Sequence, residues 1–194
     1  PPWAAVRWID VGGLADLGVV EALARKYHLH PLAVEDVLHV PQRPKCEAYP
    51  AQGEFQARLF VVARVLGLAD GRLQEEQVSV FVGHATVLTF RERSGDDLWA
   101  PVRHRLAAAA SRIRQHDASY LVYTLLDAIV DRWFPLLEEL GDRLEQLEDE
   151  VLENPTREAI SRVHALRREL LVLRRAAWPM REVIGALMRE PHEC

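Results

Sequence analysis

Two adjacent carboxylates, Glu35 and Asp36, lie in a segment that prolines bracket at both ends, His30-Pro31-Leu32-Ala33-Val34 before them and Val37-Leu38-His39-Val40-Pro41-Gln42-Arg43-Pro44-Lys45 after. Carboxylate oxygen is a hard ligand suited to Mg²⁺, an ion that keeps much of its water shell and is held by a few acids rather than a full protein cage. Pro31 fits the first turn of a helix, where its missing N–H costs nothing. Pro41 and Pro44 stop that helix from continuing. A short helix over 31–39 is therefore expected, with its two acids held in fixed directions. Adjacent acids early in a helix also favour its dipole with no ion present, so the pair alone leaves both readings open.

His28, His30, His39 and Cys46 form a second candidate ligand set, since imidazole and thiolate suit zinc and cobalt. Their spacing fits no closed zinc motif, and His84, His104, His116 and His164 are scattered, which favours structural or solvated roles. Trp178-Pro179 reads as packing rather than a ligand cage. No Gly-rich phosphate loop, nucleophile elbow or His-Glu-x-x-His pattern occurs, and Ser, His and Asp have no triad spacing, so an enzyme is not expected.

The elements that must position these groups follow from hydrophobic periodicity. Val6–Val11 reads as a strand, residues 14–27 as a helix, and Lys45–Tyr49 as a short strand. Phe55–Leu66 reads as a strand buried on both faces. Gln77–Val82 and Thr86–Phe90, split by Gly83-His84, form a hairpin. A helix is expected from Asp96-Asp97 to about Arg114, through the helix-favouring Ala107–Ala110 run. From about 117 strand signals stop and apolar residues recur at three- and four-residue spacing. One arm runs through Leu126, Val130, Trp133, Leu137, Leu140, Leu144, Leu147 and Val151. The other runs through Val163, Leu166, Leu170, Leu173, Ala177, Met180, Ile184 and Leu187. Asn154-Pro155 divides the arms as an expected N-cap and N1 pair, which implies an antiparallel helical hairpin. Pro135 and Pro179 are expected to bend its rods. Residues 138–153 are acidic and residues 157–175 basic, which suggests pairing between the arms or an acid-rich tip that attracts cations.

With 194 residues, 49% hydrophobic, the chain can bury a normal core. Its net charge of −5 argues against a nucleic-acid partner. Two cysteines, Cys46 and Cys194, make no disulfide framework, so a reducing compartment is expected. No apolar run of about 18 residues is present to span a bilayer, and no signal peptide opens the chain.

Taken together these blocks resemble the cytoplasmic domain of CorA-type magnesium/cobalt transporters. That family carries His-Pro-Leu-x-x-Glu-Asp-Val-Leu, matched at 30–38, followed by Gln-Arg-Pro-Lys, matched at 42–45. Glu76–Phe81 and Val87–Phe90 resemble its paired central strands. Asp117–Asp131 resembles its first long helix, and Ala177-Trp178-Pro179-Met180-Arg181-Glu182-Val183 resembles the Trp-Pro-Leu-Arg-Glu-Val of its second. The resemblance implies an α+β fold: an αβα sandwich with a mixed or antiparallel central sheet over 1–115, then a long antiparallel helical hairpin over 116–194. It implies a divalent-cation-sensing domain of a Mg²⁺/Co²⁺ channel, on the cytoplasmic side of the inner membrane. In that reading Mg²⁺ or Co²⁺ is a regulatory ion that stabilises a closed homopentamer. The acids matching Glu35 and Asp127 would share one ion site. Asp36 would belong to another, whose partner lies beyond Cys194. Asp131 would share the face of Asp127 as a bystander.

The family's stalk, its two membrane helices and their Gly-Met-Asn pore motif are not among these residues, so they are expected to be a cytosolic part that cannot conduct ions alone. Two alternatives stay open. One is the same fold in a zinc-transporting, ZntB-like branch, which departs in these acids. The other is a coiled-coil interaction module with no metal.

Overall fold

The structure, a computed structural model, describes residues 6–69, 71–95, 97–154 and 156–189. Its centre is a long antiparallel pair, β3 (Arg58–Ala69) and β4 (Arg72–Gly83), aligned from Leu59 opposite Val82 to Ala69 opposite Arg72. β5 (Thr86–Arg91) continues the meander on one side and β2 (Lys45–Tyr49) pairs antiparallel on the other. β1 (Arg7–Gly12) adds to β5 in parallel, so the order β1-β5-β4-β3-β2 makes a mixed five-stranded sheet.

Side chains alternate across a strand, and here both faces are apolar. Leu59, Val61, Ala63, Val78, Val80 and Val82 point one way, while Phe60, Val62, Phe81, Leu88 and Phe90 point the other. The phenylalanine face is covered by α1 (Leu17–Lys26) and α2 (Pro31–Leu38), through Val20, Ala33 and Val37. The valine face is covered by α3 (Ala100–Ala107) and α4 (Ala118–Asp131), and its core continues into α5 (Trp133–Glu153) and α6 (Arg157–Arg189). The result is the expected αβα sandwich followed by a helical hairpin.

Several boundaries differ from the sequence reading. α1 starts at Leu17, because the Asp16 carboxylate accepts from the Val19 N–H at 3.3 Å and caps it there. The helix expected through Arg114 stops at Ala107. Ala108 is extended, and a 3₁₀ turn at Arg112–Arg114 follows. The alanines favour helix, but Ile113 is buried in the core and the Arg114 guanidinium donates to the Leu106 carbonyl at 3.1 Å, so packing overrides propensity. Asp96, the expected start, lies outside the described residues.

The first rod is interrupted at one residue, Arg132, whose backbone stays in the right-handed helical region. Pro135 has no N–H to give the Asp131 carbonyl, and the chain restarts as α5 at Trp133 after Arg132. The second rod continues through Pro179. Asn154 is not an N-cap. It closes α5, donating to the Glu150 carbonyl at 2.9 Å, while Thr156 Oγ1 accepts from the Ala159 N–H at 3.1 Å and caps α6. Pro155 lies outside the described residues.

Two ion pairs record the antiparallel register of the hairpin. Arg143 meets Glu169 and Glu150 meets Arg162, so moving forward along α5 moves backward along α6. The second of these pairs uses the charge segregation of the two arms, while the first joins the acidic arm's arginine to a glutamate of the basic arm. Each apolar repeat is left partly uncovered. Leu140 and Leu147 on α5 and Leu166 and Met180 on α6 are buried, while Leu137, Leu144, Val163, Leu170 and Ile184 are exposed.

Candidate functional site

The acids singled out by sequence fall on two helices. α2 is short because His30 and Pro31 open it and Pro41 follows it. The His30 ring accepts from the Leu32 N–H at 3.3 Å and stacks on Tyr49, with centroids 4.7 Å apart. This histidine is therefore occupied in building the turn. Ala33 and Val37 face the phenylalanine core, which turns Glu35 outward and leaves Asp36 at the rim, over the edge strand β2. The Gln77 side chain, itself buried, fixes the end of α2: it donates to the Asp36 carbonyl at 3.0 Å and accepts from the Gln42 N–H at 2.7 Å. One of the carbonyls that a helix end leaves without a partner is thereby satisfied.

The two carboxylates have different surroundings. Glu35 is exposed and makes no ion pair among the described residues. Asp36 is met by Lys45, whose ammonium lies 2.7 Å from Asp36 Oδ2 and 2.9 Å from Glu47 Oε1. The other Glu47 oxygen accepts from the Tyr49 hydroxyl at 3.0 Å. Burial pulls the Lys45 pKa down, but the hydrogen bonds to Asp36 and Glu47 outweigh it and the pKa is raised. Burial and the hydrogen bond to Glu47 push the Tyr49 hydroxyl up to about 12.

Asp127 lies on α4, on the far side of the sheet. Leu125, Leu126, Ala128 and Ile129 are buried against the valine face, which leaves Asp127 partly exposed, 3.5 Å from the Arg105 guanidinium of α3. Asp131 is exposed one turn later. The sheet therefore separates Glu35 and Asp36 from Asp127, and one copy of the chain does not gather the three. Nor does it gather the histidines with Cys46: the described residues contain no group of three or more His, Cys, Asp or Glu able to hold a metal.

Two partners of these acids were not singled out from sequence. Lys45 stands in the Gln-Arg-Pro-Lys block and at the start of the expected strand Lys45–Tyr49, with no charge partner assigned from sequence. Arg105 gave no signal at all, because its pairing depends on how α3 packs on α4.

A cleft of about 670 Å³ lies between the loop after α2 and α6. Its walls include Arg43, Arg64, Glu75, Arg174, Arg175 and Trp178. Arg43 crosses it to Glu182 at 2.8 Å, and Arg64 pairs with Glu75 at 3.2 Å. It ties the acidic segment to the second rod. No helix among the described residues is long and apolar enough to cross a membrane.

Comparison with known proteins adds the following. The family described as CorA-like Mg²⁺ transporter protein matches residues 3–193. The cobalt/magnesium transport protein CorA of Thermotoga maritima is 40% identical over 185 residues, covering 94% of this chain and 51% of that protein. A putative metal ion transporter of Bacillus subtilis, YfjQ, is 32% identical over 192 residues, covering 98% of this chain and 56% of that protein. The chain thus spans about half the length of the curated relatives it matches. Among solved structures, the soluble domain of CorA from Methanocaldococcus jannaschii superposes with a TM-score of 0.76 at 18% identity, over 95% of this chain and 70% of that one, a likeness of fold.

Proposed function

The chain belongs to the CorA-like Mg²⁺ transporter family, and from that premise we propose that it is the cation-sensing part of a divalent-metal channel, working on the cytoplasmic side of the membrane as one subunit of a homopentamer. Mg²⁺ or Co²⁺ is both the cargo of the whole protein and the ion this part senses. The acids act in pairs across subunit boundaries. Glu35 of one copy and Asp127 of the next hold one hydrated ion, and Asp36 holds a second with a group outside this chain.

The observation that carries the reading is the placement of the acids on opposite outer layers of the sandwich, each at least partly open to solvent. Such carboxylates converge only when two copies meet face to back. An ion between them cancels their charge and keeps the copies packed. Without it they repel, and the packed arrangement loses its advantage. Gating then follows from the ion's higher affinity for the packed state. Weak binding of a largely hydrated Mg²⁺ suits an ion that must leave when its concentration falls.

Calorimetry with Mg²⁺ and Co²⁺ on the full-length protein tests this. E35A combined with D36A, and D127A separately, are each expected to weaken binding about tenfold or more, as loss of a charged ligand does. Unchanged affinity in both would overturn the site. The exposed Leu137, Leu144, Val163 and Leu170 favour a second reading, an association module that needs no ion. Assembly that ignores chelators would support it instead.

A further inference from the structure

The cluster around Asp36 already contains a cation. Lys45 Nζ sits 2.7 Å from Asp36 Oδ2 and 2.9 Å from Glu47 Oε1, distances of direct charge-assisted hydrogen bonds. The site is built around that ammonium. The Tyr49 hydroxyl holds the second oxygen of Glu47 at 3.0 Å, Gln77 pins the backbone of Asp36 at 3.0 Å, and the Phe60 ring centre lies 5.8 Å from the ammonium. The carboxylates are therefore fixed, and the mobile partner is the flexible lysine stem. The Lys45 and Asp36 side chains are 28% and 21% exposed, against 75% and 62% for the surface pair Arg25–Glu21, so water screens them less.

We propose that Lys45 is a tethered counter-ion that a divalent cation must displace to reach Asp36, and that it sets the concentration at which this carboxylate responds. The proposal rests on the reading of Asp36 as an ion ligand. A side chain attached to the same strand edge acts as a competitor at high local concentration. A free monovalent cation carries the same charge and gains nothing by exchange. A divalent ion carries twice the charge and does. Lys45 thus raises the threshold for Mg²⁺ and filters out K⁺ and Na⁺, and its displaced ammonium retains Glu47 as an alternative partner. Asp127 has no comparable guard: the Arg105 guanidinium is 3.5 Å away and half-exposed.

Mg²⁺ titration of the full-length protein and its K45M, K45R, D36N and K45M/D36N variants tests the idea. K45M is expected to bind Mg²⁺ about tenfold more tightly, the effect of removing one partly screened competing charge. K45R keeps the charge and should stay at or below the wild-type affinity. The gain from K45M should vanish in the D36N background, because the two residues act on the same event. If D36N weakens binding and K45M does not tighten it, Lys45 is only a structural partner and the proposal is overturned while the Asp36 site stands. If D36N leaves binding unchanged, the Asp36 reading fails and the proposal fails with it. K45Q repeats the test with a polar neutral side chain should K45M not fold.

Discussion

The sandwich and the helical hairpin use apolar residues in opposite ways. In the sandwich, β3 and β4 are apolar on both faces and both faces are covered, with Phe60, Phe81 and Phe90 sealed under α1 and α2. In the hairpin, some members of each repeat are left open: Leu140 and Leu147 are buried, while Leu137 and Leu144, on the same rod, are not. A unit that buries its whole pattern is complete in one copy. A unit that leaves part of it open carries apolar surface outward, and such a face is suited to a further layer. The acids proposed to sense the ion show the same contrast in charge. Asp36 is matched within its own chain by Lys45, and Glu35 is not.

The strongest way to break this comparison is to damage the sandwich at its most enclosed point. Phe81→Ala, between Phe60 and Phe90, removes a ring that is 1% exposed and should lower stability by about 3–5 kcal/mol in urea unfolding. A smaller loss would mean that the phenylalanine face is not tightly closed.

A paired test follows in the hairpin. Leu147→Ala should cost about 2–3 kcal/mol because it opens a cavity against α6. Leu144→Ser, one turn earlier on the open side, should stay within about 0.5 kcal/mol in unfolding of this chain. If the two substitutions cost the same, the covered and uncovered members of the repeat are not distinct.

The smallest expected effect is on alkaline stability, and it sharpens the contrast because it belongs to the sandwich edge alone. Folding favours the neutral Tyr49 hydroxyl, so the stability it lends is complete below about pH 10 and is lost as pH rises from 10 to about 12. Lys45, also raised, loses its contribution in the same direction, above pH 10.5. Tyr49→Phe should remove the first of these and leave the second, so the fall in melting temperature across that window becomes shallower but does not disappear.

Much of the architecture was legible before any coordinates. The double-faced strand expected at 55–66 and found at Arg58–Ala69, the Gly83-His84 turn and the proline-bracketed helix all have local causes: a continuous apolar run, turn chemistry and the missing N–H of proline. The misread boundaries have non-local ones. Ala108–Ala110 would favour helix alone, and gives it up because Ile113 has to reach the core. Asn154 has the chemistry of either helix end and was assigned to the wrong one, since Thr156 competes for the cap. Pro135 acts locally, as its missing N–H requires: the helix is interrupted at Arg132, one turn upstream.

Residue types and spacing, by themselves, settled the element inventory, the family likeness and the chemistry available to Glu35, Asp36 and Asp127, because propensity, periodicity and ligand hardness are properties of short stretches of chain. What folding alone decided is who faces whom. The sheet places Glu35 and Asp36 on one outer layer and Asp127 on the other, Lys45 arrives beside Asp36 because β2 lies under α2, and part of a regular repeat remains open because two rods can cover only one side of each other. Those relations join residues far apart in sequence, and they are set by which surfaces pack together.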